Sequence, residues 1–167
     1  MRDALPDLRL IPIDADGSVQ GFDAPLSEMV THVLEATGQL YAAVGFEEPW
    51  IGYLAVSDGV PVGTCGFKSP PQQGRVEIAY FTFPDFEGRG IASAMATRLV
   101  AMTLRHRPTL VIAAQTLPGR NASHRVLEKQ GFRHTATLDH AEDGTVWEWH
   151  WQGNQPSDPH ANPTEGA

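Results

Sequence analysis

A chain of 167 residues with 41% hydrophobic content has material for one domain around one core. Twelve Lys and Arg against twenty Asp and Glu leave a formal net charge of −8 with no basic cluster, which excludes the electrostatic footprint of a nucleic-acid binder. The single cysteine, Cys65, excludes an intramolecular disulfide. No apolar run reaches the ~20 residues of a membrane span, and Met1-Arg-Asp-Ala-Leu-Pro-Asp7 lacks a signal peptide's apolar region, so a cytoplasmic protein is expected.

Residues 8–13, Leu-Arg-Leu-Ile-Pro-Ile, read as a first strand in which Pro12 marks an edge or an end, followed by the turn-rich Asp14-Ala-Asp-Gly-Ser18. Residues 25–36 place Met29, Val30, Val33 and Leu34 on one helical face, with Ser27 as a cap and Gly38 as the stop. Residues 50–56 and 60–67 flank Ser57-Asp-Gly59, a hairpin signal that puts Cys65 in a strand as a small buried residue. After the turn at 70–74, residues 76–83 read as a strand and 92–102 as a helix. The short apolar run 110–115 then reads as a buried strand parallel to 76–83, which makes a β-α-β crossover. Residues 123–130 form a helix stopped at Gly131, and 132–138 with 145–151 a last strand pair. Three prolines and almost no apolar residue from Gly153 onward predict a disordered tail, so one domain is expected over 1–152 and a tail over 153–167. The fold class is α/β, a mixed and mostly antiparallel sheet of about seven strands flanked by helices.

Residues 87–92, Glu-Gly-Arg-Gly-Ile-Ala, join the strand 76–83 to the helix after it. A strand that turns on two glycines into a helix offers unpaired N–H groups at the positive end of the helix dipole, and the glycines remove side chains that would block approach. Such a cradle suits phosphate, although Gly-x-Gly also serves as an ordinary tight turn. It lacks the third glycine and downstream acidic residue of a dinucleotide fold, and the Lys-Ser/Thr of a P-loop, which disfavours NAD and ATP.

This stretch resembles the acyl-CoA loop of the GNAT (Gcn5-related) N-acetyltransferases, Gln/Arg-x-x-Gly-x-Gly/Ala, matching at Gly90 and Ala92 and departing at Glu87. A second block, Asn121-Ala-Ser-His-Arg-Val-Leu-Glu-Lys-Gln-Gly131-Phe132, is similar to the family's Asn/Ala/Ser-x-x-Val-Leu-Glu-Lys-x-Gly-Phe segment at the family's distance downstream. The resemblance implies a GNAT fold in which the strands 76–83 and 110–115 splay around the pantetheine arm of acetyl-CoA, the co-substrate. It further implies that Gly88, Arg89, Gly90, Ile91, Ala92 and Ser93 cradle the phosphates, and that Asn121 and Ser123 reach the pantetheine or thiol. Backbone N–H groups near Phe81 and Phe83 would meet the thioester carbonyl.

Acetyl transfer needs a neutral amine, donors for the developing oxyanion and a proton for the departing thiolate. Glu77, a carboxylate set in an apolar strand, is the base candidate, and histone-acetylating members of the superfamily carry their glutamate at a similar place. The plainer reading is a Glu facing solvent or paired with a neighbouring Arg. Many members place a tyrosine acid four residues before the glycine of Gly-Phe; here that position is Leu127, which cannot donate. Ser123 is the remaining catalytic candidate, or else a helix N-cap. Trp147, Trp149 and Trp151 share one strand face, first as core or interface and second as an acceptor wall. The histidines show no metal-ligand spacing, and no metal is expected. Glu47 and Glu48 fall where the variable acceptor loop is expected, either receiving a cationic amine or standing as solvated charges.

The function expected is an acetyl-CoA-dependent N-acetyltransferase acting on a primary amine of a small molecule or peptide by direct attack in a ternary complex. The alternative is a non-catalytic acyl-CoA-binding sensor or assembly module. Protein N-termini, small polyamines and antibiotics all stay open as acceptors, with the acid excess favouring a cationic one. No nucleic acid or membrane is expected as a partner, and a homodimer stays open.

Overall fold

In the computed structural model the described residues are 7–22, 24–119, 121–142 and 144–153. The predicted tail, apart from Gly153, lies outside them. Strands β1 (Arg9–Pro12), β2 (Gly52–Ser57), β3 (Val60–Phe67) and β4 (Arg75–Thr82) pair antiparallel in chain order. The helix α2 (Ile91–His106) then carries the chain over to β5 (Val111–Thr116), which lies parallel to β4. Beyond it, β7 (Gly144–Trp151) pairs antiparallel with β5, and β6 (Phe132–His140) closes the order β1-β2-β3-β4-β5-β7-β6. This is the mixed, open sheet with one crossover that the strand pattern predicts. No helix among the described residues is long and apolar enough to cross a membrane.

Helix α1 (Glu28–Val44) is capped as expected, with the Ser27 hydroxyl accepting from the Val30 amide at 3.2 Å. It does not stop near Gly38. A Cβ at Gly38 would sit 3.4 Å from the Asp16 carbonyl carbon and from Gly17 Cα, so this glycine admits the Asp14–Ser18 turn against the helix flank rather than ending the helix. The two added turns bring Tyr41 inward. Its hydroxyl donates to the Ile13 carbonyl and accepts from the Gly52 amide, each at 2.8 Å, fastening α1 to β1 and β2. Val30 and Leu34 are buried, whereas Met29, expected on the same face, is exposed.

Helix α2 buries Ile91, Met95, Leu99 and Val100 over β3 and β4. Cys65 is buried in β3, where loss of water pushes its thiol pKa up. The short α3 (Ala122–Lys129) packs against α2 and β6. Where β2 meets β3, the backbones approach so closely that a Cβ at Gly66 would lie 2.5 Å from the Ile51 carbonyl oxygen and 2.6 Å from Gly52 Cα. Backbone cannot yield as a side chain does, so Gly66→Ala is expected to destabilise the fold by about 2 kcal/mol, read as a lowered urea midpoint at unchanged m-value.

Candidate active site

Strands β4 and β5 pair at Arg75–Val111, Val76–Ile112 and Glu77–Ala113, and no further. From Ala113 onward β5 follows β7, while β4 stays with β3 to Thr82. The Lys68 amide donates to the Glu77 carbonyl and the Phe83 amide to the Val62 carbonyl, both at 2.9 Å, and the Val111 amide donates to the Gly74 carbonyl. By the alternation of a strand, odd-numbered β4 residues turn their amides to β3 and even-numbered ones to the gap. This corrects the expectation for Phe81 and Phe83: the Phe83 amide is already bonded, and the groups facing the gap belong to Tyr80 and Thr82. Phe83 is core, and Phe81 presents its ring to solvent.

A cleft of about 430 Å³ opens at this gap, and its walls include Tyr80, Thr82, Gly88, Gly90, Ile91, Ala92, Ser93 and Ser123. Gly88 (φ +79°) and Gly90 (φ +80°) hold the left-handed conformation that side chains disfavour, and a Cβ on either would meet nothing within 4 Å. Gly90 is the N-cap of α2 and contributes no side-chain cap, so the Ile91, Ala92 and Ser93 amides open the helix toward the cleft. The buried Thr82 hydroxyl has no hydrogen-bond partner. Open amides at a helix N-terminus, an unpartnered hydroxyl and an unpaired strand edge together fit an elongated ligand with a phosphate at one end and amides along its length. Arg89 does not line this cleft; its guanidinium lies 5.4 Å over the Phe86 ring.

The cap of α3 is Asn121, whose Oδ1 accepts from the His124 amide at 3.2 Å. That excludes the N-cap reading of Ser123, which faces the cleft, and takes Asn121 out of the walls. Leu127, where the resemblance calls for tyrosine, is wholly buried. Tyr80 was missed in the sequence. Its hydroxyl donates toward the Ser123 carbonyl at 3.4 Å across the cleft, and burial, against that hydrogen bond, pushes its pKa up to about 12. The signal was its place in step with Val76 and Ile78, which turns it to the helix side of β4.

Glu77 points to the opposite face. It is largely buried but not isolated: Lys68 Nζ lies 2.9 Å and Arg75 Nη2 3.4 Å from its two oxygens, which is the arginine-paired alternative. Arg75 also donates to Glu148 at 2.7 Å, and Glu148 accepts from Gln115 at 3.0 Å and pairs with His150 at 2.8 Å. Burial pushes the Glu148 pKa up, but the hydrogen bonds from Gln115, His150 and Arg75 outweigh it and hold the carboxyl below its ordinary value. Trp147 stacks between His124 and His134 at 4.9 and 4.3 Å, and Trp149 donates to Thr116 at 2.9 Å, so these indoles belong to the α3 side. Glu47 and Glu48 line neither this cleft nor the smaller one beside it.

An acetyltransferase (GNAT) domain model matches residues 7–133. Over 89 residues the chain is 30% identical to N-acetylaspartate synthetase of Rattus norvegicus, a match that takes in 53% of this chain and 29% of that protein. The chain therefore spans less than a third of the length of that relative. Among solved structures, the ribosomal alpha-N-protein acetyltransferase RimL in complex with coenzyme A superposes with a TM-score of 0.63 at 16% identity, covering 87% of this chain and 93% of RimL. A spermidine N-acetyltransferase chimera from Vibrio cholerae and hSSAT gives 0.63 at 12% identity over 87% and 95% of the two chains.

The Glu148 cluster makes its own prediction. A carboxylate held below its ordinary pKa stabilises the fold at neutral pH, and that contribution fades as pH falls below the unfolded value of 4.5 and through the lower folded one. Glu148→Gln is expected to cost about 2 kcal/mol at pH 7 and progressively less in acid, with the urea midpoints of the two proteins converging below pH 4. A constant gap from pH 7 to pH 3 would refute it.

Proposed function

The chain belongs to the GNAT acetyltransferase family, and on that premise we propose that it transfers the acetyl group of acetyl-CoA to a primary amine by direct attack in a ternary complex. The observation that carries the reading is the convergence of the glycine loop, the parted β4 edge and Ser123 on one cleft. The Ile91, Ala92 and Ser93 amides and the α2 dipole hold the pyrophosphate; Gly88 and Gly90 let it approach. The Tyr80 and Thr82 backbone, with the Thr82 hydroxyl, takes the amides of the pantetheine arm. When bound, acetyl-CoA supplies the activated acyl group, and the remaining work is proton handling by this chain's side chains.

Glu77 is the proposed base. It belongs to the last β4–β5 pair before the strands part, on the face away from α2; it lines neither cavity itself, but its near partner Lys68 lines the smaller one. Tyr80 and Ser123 stand on the opposite, α3 side, where the thiolate departs. Tyr80, whose hydroxyl reaches across the cleft toward Ser123, is the proposed donor in place of the absent α3 tyrosine. What relatives act on, whether spermidine, a protein N-terminus or aspartate, is theirs; for this chain each is a candidate acceptor only.

Two outcomes are expected. Gly90→Glu places a side chain at φ +80° and a negative charge in the cradle, and should abolish acetyl-CoA binding by calorimetry in a protein that still folds. Undiminished affinity would remove the cradle from the reading. Glu77→Gln should lower kcat by about 10²-fold with acetyl-CoA affinity nearly intact, and Tyr80→Phe should lower kcat more than Ser123→Ala does. Wild-type protein that binds acetyl-CoA yet releases no thiol with any amine would turn the reading to the acyl-CoA sensor.

A further inference from the structure

A second cavity, of about 180 Å³, lies on the α1 side of the sheet. It shares Tyr80 and Phe81 with the acyl-CoA cleft, so the two meet along β4 three to four residues past its last pair with β5. Its walls include Leu40 and Thr37 of α1, Thr64 of β3, Ala79 and Phe81 of β4, and Lys68 just past β3. Leu40 and Phe81 are large apolar side chains left 39% and 46% exposed, one on each bounding element. Both threonines have committed their hydroxyl protons, Thr37 to the Val33 carbonyl at 2.8 Å and Thr64 to the Tyr53 carbonyl at 3.1 Å.

We propose that this cavity selects as acceptor a monoamine on a compact apolar body, and rejects polyamines and acidic amino acids. The inference rests on the acetyltransferase reading for its chemistry, but its argument is the lining. Among the described residues Lys68 is the one charged residue in these walls, and its ammonium is already 2.9 Å from Glu77. A polyamine's second ammonium would meet that like charge and no carboxylate of the cavity, although the net charge of −8 attracts cations to the molecule as a whole. Aspartate would bring two carboxylates beside Glu77 with a single, already paired, lysine to receive them. An apolar body between Leu40 and Phe81 has only water to displace, and a space of about 180 Å³ has room for a phenyl or isobutyl group. Seated there, it leaves its amine free to extend along Ala79 toward Glu77 and the gap.

The test uses the full chain and three probes: 2-phenylethylamine, spermidine and aspartate. Calorimetry on the coenzyme A-saturated protein reads the cavity, and thiol release from acetyl-CoA reads the chemistry. 2-Phenylethylamine is expected to bind at least about tenfold tighter than either other probe, and Leu40→Asp, a half-exposed helix position, to reduce that preference about tenfold or reverse it toward spermidine. Spermidine or aspartate binding as well as 2-phenylethylamine, no binding by any probe, or a preference unchanged in Leu40→Asp would each overturn the inference. If 2-phenylethylamine binds as expected but no amine releases thiol, the cavity assignment stands and the acetyltransferase reading falls.

Discussion

Everything about the candidate site follows from the divergence of β4 and β5 after three residue pairs. Strand edges inside a protein carry polar groups that must be bonded to something, at a cost of about 1–3 kcal/mol for each one buried and left unmet. Here the two strands are held apart by their other neighbours: β4 runs five pairs along β3 to Thr82, and β5 runs four pairs along β7 to Thr116. Tyr80 spans the opening with its hydroxyl toward Ser123 of α3. The unpaired edge is then a template for a ligand that offers amide groups in extended form, and the loop that follows β4 supplies the charge complement for its phosphate end. A lone glycine loop would not distinguish a binding cradle from a turn; its place at the mouth of an unpaired strand edge is what supports the proposed cradle.

The period of two along β4 divides the chemistry by face. Tyr80, in step with Val76 and Ile78, reaches α3 and the cleft; Glu77 and Phe81 take the other face, toward α1 and the outer sheet. The proposed base and acid, at opposite ends of one displacement, should not neutralise each other, and the strand's alternation keeps them on separate faces. Both faces remain in reach of the gap because the strands part there.

The sequence was most legible where structure is local. The hairpin, the crossover and the loop carry their signals within a few residues, and Gly88 and Gly90 adopt the positive φ for which glycine is suited. It was least legible where partners lie far apart in the chain. Which edge the Phe83 amide faces depends on its pairing with Val62, and no pattern within residues 76–83 encodes that register. Gly38 carries the residue type of a helix stop, yet its role is set by the turn at Gly17, twenty-one residues earlier by number, which packs against it. The Trp147-Glu-Trp-His-Trp151 run drew attention for its indoles, while the residue between them, Glu148, is the hub of the polar cluster through Arg75, which is 73 positions away. Ser123 looked like a cap because it is hydroxylic and near a helix start; Asn121, two residues earlier, holds that place.

The polar cluster also bears on how Glu77 could serve as a base while ion-paired. Arg75 lies closer to Glu148 than to Glu77, at 2.7 against 3.4 Å, so its charge is shared in favour of the buried hub. Glu77 is left with Lys68 as its near partner, and the Lys68 side chain is 52% exposed. Ion pairs with one partner in solvent are worth about 0–1 kcal/mol, far less than a pair closed off from water. Lys68 also lines the second cavity, so the proposed base and that cavity share one counter-ion. A carboxylate whose near partner is a half-exposed lysine is freed at little cost in free energy, which is what the proposed role of Glu77 as a base requires, while Arg75 stays bound to Glu148.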